Sequence, residues 1–274
     1  MPSDIASLCS QLQELGYCRI EDVIPTERLD ELHKQVVSAV KAHTDLPLPT
    51  GHVPGFLRFD QSLAPYLTDD RVLGLARSFF GPNVRISMLT GSLNGPGIPR
   101  GPFHADWPYN QQSAAHIPAP YPDVLLHLVT FWMLTDFTED NGATIIVPRS
   151  HRKTSHPLEN DPIDPKRAYP GEKRLLGSAG TVAVCDARLW HAVAPNRTLK
   201  ERVAVIVRYA PWWLNLDPLR PGTIDRKNIV ESVKGTNAHV PALPQDIFEG
   251  LPDKLKPLLD YSVDRQETTS IDLT

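Results

Sequence analysis

The chain has 274 residues, a formal net charge of −4 at pH 7 and 22% charged residues. This length is sufficient for one large domain, and the slightly acidic balance gives no basic footprint for a nucleic acid. The longest apolar stretches, such as VLLHLVTFWML, are interrupted by polar residues and are too short to cross a bilayer. The first residues lack a signal-peptide pattern. We therefore expect a cytoplasmic protein with neither nucleic acid nor membrane as a partner.

The three cysteines, Cys9, Cys18 and Cys185, are widely separated. They are too few for a disulfide framework or a thiolate metal site. We expect them to be ordinary thiols in the core or at the surface.

Helices are predicted in the first third of the chain. Apolar residues recur at helical spacing from Ile5 to Leu15 and again from Leu29 to Val40, and Gly16 ends the first of these runs. A third helix is predicted from about Asp69 to Phe80.

Strands are predicted in the rest of the chain, starting with Val84 to Gly91. Many of the 27 prolines lie in the connections, notably 94–102, 116–122 and 157–170. The polar tract over 156–173 is typical either of an exposed insertion or of a lid over a binding site, and the sequence leaves both open.

Four polar residues suggest chemistry. His104 and Asp106 form a His-x-Asp triplet after the turn-rich run NGPGIPRGP, and alternation along a strand would point both side chains to one face. His191 follows the strand-like run GTVAVCDARLW, and Arg202 lies eleven residues later at the start of an alternating apolar run.

Two imidazoles and a carboxylate on one face of a ferrous ion leave three positions for a chelating 2-oxo acid and dioxygen. The arginine would then hold an acidic co-substrate. A lone His-x-Asp match is expected by chance among ten histidines. The alternative is that these four residues are unrelated polar groups of the surface and core.

Several longer motifs resemble the phytanoyl-CoA dioxygenase family of Fe(II)/2-oxoglutarate-dependent oxygenases. They are GYCRIEDVIP, HAD at 104–106, TFWMLTDFTEDNGATIIVPRSHR and GTVAVCDARLWHAVAPNRTLKERVAVIVRY, and the resemblance extends over about residues 15–215. It implies a mainly β fold, a double-stranded β-helix (jelly roll, cupin-like) with packing helices at the N-terminus and a short C-terminal helix.

On this basis we expect a single domain over residues 1–274. Its helical part would extend over about 1–82, its jelly-roll core over about 83–215 and its C-terminal extension over about 216–274.

The resemblance also implies roles for individual residues. His104, Asp106 and His191 would bind Fe(II), and Arg202 would bind the distal carboxylate of 2-oxoglutarate. Thr144 is a second candidate for that carboxylate, because the hydroxyl that the family often has two residues after the distal histidine is replaced here by Val193.

The implied reaction is hydroxylation of an aliphatic C–H by O2, with decarboxylation of 2-oxoglutarate to succinate and CO2. Desaturation, epoxidation and ring rearrangement remain open. Asp106 argues against halogenation, since related halogenases have a small residue at that position.

The substrate is predicted less closely. We favour a small metabolite, for instance of secondary metabolism, and a monomer or homodimer. An acyl-CoA is the alternative, and its phosphates would require basic residues at the mouth of the site. Five are available in sequence: Arg149, Arg152, Lys153, Lys166 and Arg167. A metal-binding cupin-like protein that does not use 2-oxoglutarate is also open, but it would have no need for Arg202.

Other residues receive structural interpretations. His127 is predicted to be a buried, hydrogen-bonded imidazole. His151 matches a family position that looks structural. Arg149 replaces a glycine that is usual in the family. Core packing is predicted for both Trp212 and Trp213, and contact of one ring with the substrate is the alternative. The loop from Trp107 to Asn110 could curl over the site.

Overall fold

The computed structural model describes residues 4–106, 119–155, 157, 167–214 and 242–264. Three helices come early in the chain, as predicted: α1 (Ile5–Leu15), α2 (Thr26–His43) and α3 (Asp70–Phe80). α1 ends at Gly16, whose φ of 84° is the left-handed conformation that glycine tolerates best. Two short helices, α4 (Gln245–Glu249) and α5 (Lys256–Leu259), lie near the C-terminus.

Eleven short or medium strands accompany these helices in the described part of the chain. They are β1 (Tyr17–Ile20), β2 (Thr50–Pro54), β3 (Val84–Asn94), β4 (Leu128–Met133), β5 (Ile145–Ile146), β6 (Lys173–Arg174), β7 (Val182–Asp186), β8 (His191–Ala192), β9 (Arg202–Pro211), β10 (Leu243–Pro244) and β11 (Val263–Asp264).

The strands form two antiparallel sheets and one parallel pair. The larger sheet has the order β1-β7-β4-β9-β3-β2, the smaller has the order β6-β5-β8, and β10 pairs with β11. Non-consecutive neighbours in both antiparallel sheets are typical of a jelly roll. The predicted double-stranded β-helix with N-terminal helices is confirmed.

Two strands of the larger sheet come from the part of the chain that was expected to be helical. β1 pairs with β7 through Tyr17↔Cys185, and β2 pairs with β3. Both are short strands at the edges of the sheet, and their partners lie elsewhere in the sequence. No local periodicity marks such strands, because their pairing is decided by tertiary contacts.

The larger sheet packs the helices on one face and encloses the site on the other. On β9, the buried residues Val203, Val205, Val207 and Tyr209 belong to the core that the three helices complete. Ala204 and Ile206 face the opposite way, into a second apolar cluster inside the barrel. Because side chains alternate along a strand, Arg202 and Arg208 lie on the interior face with them.

The remaining structural expectations have mixed outcomes. The three cysteines are free thiols, and burial raises the pKa of Cys18 to about 12. The expectation for Trp212 and Trp213 is wrong, because their exposed fractions are 56% and 57%. The segment 107–110 and most of the tract over 156–173 lie outside the described residues. No helix in the described ranges is long and apolar enough to span a membrane.

Candidate metal centre

His104, Asp106 and His191 converge at one end of the barrel. Their ligand atoms all lie within 4.8 Å of one another. His104 and His191 face each other across an antiparallel bridge, in which each backbone N–H donates to the other residue's carbonyl at 2.9 Å. Their ring centroids are 4.2 Å apart. The backbone pairing therefore places both imidazoles beside the carboxylate.

Each imidazole is oriented by a backbone carbonyl two residues earlier. Nδ1 of His191 lies 2.8 Å from the Leu189 carbonyl, and Nδ1 of His104 lies 3.2 Å from the Pro102 carbonyl. A neutral imidazole that donates from Nδ1 has its lone pair on Nε2. This arrangement suits metal ligands, whose second nitrogen is usually held by a backbone or carboxylate acceptor.

Asp106 is buried, with an exposed fraction of 7%. Its backbone N–H donates to the Ala187 carbonyl at 2.8 Å, and its Oδ1 accepts from Arg208 Nη2 at 2.8 Å. Its second oxygen, Oδ2, lies 3.8 Å from His191 Nε2. One carboxylate oxygen is therefore bound by protein and the other faces the histidines.

The electrostatics favour the protonation states that a metal requires. Burial and the neighbouring His191 lower the pKa of His104 to about 4. Burial alone would raise the pKa of Asp106, but Arg208 and the two histidines outweigh it and lower that pKa to about 2. Near neutral pH the metal-free site is thus one anion beside a neutral His104, and two imidazole nitrogens with one carboxylate oxygen fit a ferrous ion.

Arg202 lies on the same interior face and has an exposed fraction of 3%. Its Nε donates to the Gly142 carbonyl at 3.3 Å, and its guanidinium lies 4.7 Å from the centre of the Phe137 ring. Its Nη2 donates to the Asn94 carboxamide oxygen when that amide is assigned with its oxygen toward the guanidinium, the orientation that satisfies both groups. Within the described ranges, no carboxylate lies at ion-pair distance from it. Burial lowers the pKa of Arg202 to about 10, which leaves it protonated at neutral pH.

Thr144 lies just before β5 and has an exposed fraction of 5%. Its carbonyl accepts from the Leu175 N–H at 2.8 Å. It is two residues beyond Gly142, which contacts Arg202. The structure thus puts Thr144 in the segment next to the arginine, and these two described side chains form no hydrogen bond with each other.

Three residues of this environment were missed from sequence: Arg208, Asn94 and Phe137. Arg208 had a usable signal, since it is the second arginine at an interior position of the alternating run RVAVIVRY. Asn94 had no such signal in the sequence, because only the pairing of β3 with β9 places it opposite Arg202. Phe137 lies in the connection after β4, whose path no local pattern predicts.

The structural interpretation of His127 is confirmed. Its exposed fraction is 2%, and its Nε2 lies 2.6 Å from Ser87 Oγ. His151 is likewise buried, and its Nε2 lies 3.1 Å from the Gln13 carbonyl at the end of α1.

Several basic residues that were considered for an acyl-CoA are instead used by the fold. Arg149 pairs with Glu14 at 2.6 Å, and Arg152 Nη2 donates to the Gln13 carbonyl at 2.7 Å. Lys153 donates to the Tyr169 hydroxyl at 2.8 Å. Arg167 also has a partner, and Lys166 lies outside the described residues.

The fold and this site agree with comparisons to known proteins. The family model of phytanoyl-CoA dioxygenase (PhyH) matches residues 12–204. "Dioxygenase af480" of Aspergillus fumigatus is 33% identical over 144 residues, which are 52% of this chain and 42% of that protein. The uncharacterized protein Rv1501 of Mycobacterium tuberculosis is 24% identical over 203 residues, 70% of each chain. The chain thus spans less than half of the length of the Aspergillus relative.

Two solved structures share the fold. The epimerase SnoN, in complex with Fe3+, alpha-ketoglutarate and nogalamycin RO, superposes with a TM-score of 0.60 and 17% identity over 76% of this chain and 83% of its own. HygX from Streptomyces hygroscopicus, with nickel, 2-oxoglutarate and hygromycin B bound, also has a TM-score of 0.60. It is 16% identical, and the match covers 76% of this chain and 88% of HygX. Because the family match covers more than half of the sequence, the chain belongs to the phytanoyl-CoA dioxygenase family.

Proposed function

We propose that this protein is an Fe(II)/2-oxoglutarate-dependent dioxygenase that hydroxylates an aliphatic C–H of a small-molecule metabolite. The observation that supports this most directly is the placement of two different sites in one barrel. One is the set of three ligand residues His104, Asp106 and His191, within 4.8 Å of one another. The other is the buried Arg202.

Iron would be bound by the Nε2 atoms of the two histidines and by Asp106. Three protein ligands leave room for a chelating co-substrate and for O2. The bound metal and 2-oxoglutarate would supply the oxidising chemistry, in which the co-substrate is decarboxylated to succinate and CO2. The protein binds and orients these partners and excludes bulk water.

Arg202 is suited to the distal carboxylate of 2-oxoglutarate. A buried guanidinium without a carboxylate is costly, so a dicarboxylate ligand would compensate a charge that the described part of the protein leaves unpaired. Its Nε and Nη2 are held by Gly142 and Asn94, which fix the plane of the guanidinium. Nη1 forms no hydrogen bond within the described ranges and can therefore donate to an anion. Thr144, in the adjacent segment, is our proposal for a second donor to that carboxylate.

A small metabolite is a better substrate proposal than an acyl-CoA. Arg149, Arg152 and Lys153 each have a protein partner on α1 or at Tyr169, so phosphates would have to compete with these contacts. The two structural neighbours contain nogalamycin RO and hygromycin B, which are small molecules. This supports a substrate from secondary metabolism.

Anaerobic reconstitution with Fe(II), followed by titration with 2-oxoglutarate, tests the proposal. We expect the weak visible charge-transfer band of a chelated ferrous complex in the wild type and its loss in His191→Ala. Arg202→Ala should weaken 2-oxoglutarate binding by about 100-fold or more, since it removes the partner of a buried charge.

Arg197→Ala is the matched control. Arg197 lies near the start of β9, but its side chain is 65% exposed and is 3.8 Å from Asp140. Its loss should leave the titration unchanged. If iron binds but the band never forms, or if Arg202→Ala titrates like the wild type, the co-substrate assignment is wrong and a metal-binding barrel without 2-oxoglutarate becomes the better proposal.

A further inference from the structure

Arg208 makes a buried contact with the proposed metal ligand Asp106. Its Nη2 lies 2.8 Å from Asp106 Oδ1, and the two side chains are 11% and 10% exposed. A charge-assisted hydrogen bond at this depth is stronger than one in water. Oδ1 is thus occupied by the protein, and Oδ2 is the oxygen turned toward His191.

An irregularity in the neighbouring strand shapes the surroundings of Arg208. The register of β3 against β9 shifts between Ile86 and Met88, which leaves Ser87 as an extra residue in a β-bulge. Met88 then lies directly opposite Arg208, and its Sδ is 3.5 Å from Nη1. Ser87 Oγ turns to the Arg208 carbonyl at 3.3 Å.

These contacts continue into a closed ring of hydrogen bonds. Ser87 Oγ lies 2.6 Å from His127 Nε2, and the His127 carbonyl accepts from the Ala187 N–H at 3.0 Å. The Ala187 carbonyl accepts from the backbone N–H of Asp106 at 2.8 Å. Asp106 is therefore held at its backbone and at one carboxylate oxygen by the same connected set of residues.

We propose that Arg208 is a positioning residue that keeps Asp106 a one-oxygen ligand. A carboxylate can bind a metal through one oxygen or two, and a second bound oxygen would occupy a position that the co-substrate needs. By taking Oδ1, Arg208 leaves only Oδ2 for the metal and preserves three open positions. This inference rests on the proposed metal site and extends it to four residues outside the ligand set: Arg208, Ser87, His127 and Ala187.

A purely structural role for Arg208 makes a different prediction. If the arginine only neutralises a buried carboxylate, its loss should reduce stability, but metal binding by the folded protein should change little. Ser87→Ala separates the two roles, because it weakens the ring without removing either charge. A positioning role predicts weaker metal binding in both variants, since partners of metal ligands typically contribute 10- to 100-fold in affinity.

The test uses Co(II) added to the metal-free full-length protein. Chelator competition gives the affinity, and the intensity of the visible d–d bands reports the coordination number. We expect Arg208→Met to bind Co(II) about 10- to 100-fold more weakly with altered band intensities, and Ser87→Ala to show a smaller loss in the same direction. Arg85→Met is the control. Arg85 lies on β3, like Ser87, but its guanidinium carbon is 4.6 Å from the centre of the Tyr261 ring.

A rescue experiment addresses the carboxylate itself. In Asp106→Gly, Arg208 should hold a free carboxylate in place of the missing one, so added formate should restore Co(II) binding. Formate should fail in Asp106→Gly/Arg208→Met. Rescue that is equal in both variants, or affinities within twofold of wild type in both Arg208→Met and Ser87→Ala, would overturn the inference.

The failure of the metal site itself has a separate signature. In that case Co(II) binding would be the same in the wild type and in His191→Ala. If Arg208→Met does not fold, Ser87→Ala decides the question, and a Co(II) affinity within twofold of the wild type in that variant overturns the inference.

Discussion

Arg149 occupies a backbone conformation that normally favours glycine. Its φ is 69° and its ψ is 0°, and its N–H donates to the Leu15 carbonyl at the end of α1. The resemblance to the family places glycine here, and the left-handed conformation explains why. The Arg149 side chain forms an ion pair with Glu14, and the two side chains are 59% and 63% exposed. Such exposed ion pairs contribute little to stability.

This geometry predicts different stabilities for two small substitutions at Arg149. Arg149→Gly and Arg149→Ala both remove the ion pair, but only glycine relieves the left-handed strain. We expect the glycine variant to be more stable than the alanine variant by about 1 kcal/mol, after allowance for the greater freedom of glycine in the unfolded chain. Urea unfolding of the two variants measures the difference, and an alanine variant that is at least as stable as the glycine variant would contradict the prediction.

The sequence predicted those residues of the candidate site that belong to local motifs or lie next to a predicted strand. His104 and Asp106 share a triplet, and His191 and Arg202 lie at recognisable positions next to strands. The alternating run RVAVIVRY marks Arg208 as an interior arginine, but its contact with Asp106 joins residues 102 apart in sequence, which only the folded barrel brings together. The error at Trp212 and Trp213 has a similar origin, since residue type alone does not determine burial.

At the scale of elements, a partly buried ion pair joins the segment before His104 to the segment at 167–172. Arg100 contacts both oxygens of Glu172 at 2.9 and 2.6 Å, and its Nη2 also donates to the Arg167 carbonyl. Tyr169 packs edge-on against Trp190, the neighbour of His191. The Arg100–Glu172 ion pair therefore helps to hold the backbone segments next to both His104 and His191.

Glu172→Gln should destabilise the protein by about 1–2 kcal/mol, because a two-point charge-assisted contact is lost where water is largely excluded. Glu139→Gln is the matched control. Glu139 lies 3.9 Å from Arg174 and is 68% exposed, so its replacement should cost less than about 0.5 kcal/mol. Chemical unfolding of both variants checks this, and equal losses would mean that the Arg100 contact has no special weight.

The helices were predicted to within about three residues at each end because their apolar spacing and end signals are local. α1 ends at Gly16, and α3 begins after Asp69, whose carboxylate accepts from the Arg71 and Val72 N–H groups. β1 and β2 were not predicted. Their pairing depends on strands far along the chain, so they become visible only in the folded sheet.

Across the whole molecule, the barrel interior has two chemically different walls. β4 and β7 present apolar side chains such as Phe131 and Ala183. β3 and β9 also contribute polar ones, among them Asn94, Arg202 and Arg208. We propose that residues 1–274 form one oxygenase domain in which the polar wall binds the charged co-substrate, while the N-terminal helices cover the outer face of the same sheet.

The stability of the whole chain should fall in mild acid, in part through His151. Burial lowers the pKa of this imidazole from 6.5, although the nearby Asp186 opposes the shift. Below pH 6.5 the unfolded chain therefore binds a proton that the folded protein resists. The contribution of His151 to stability is thus present above that pH and is lost as the pH falls.

His151→Gln tests this, because it can keep the contact to the Gln13 carbonyl without a titrating ring. Urea midpoints at pH 7.5 and 5.0, measured with EDTA, should differ less in His151→Gln than in the wild type. His104 and the carboxylates titrate in both proteins, so an identical acid loss would show that His151 is not a source of it.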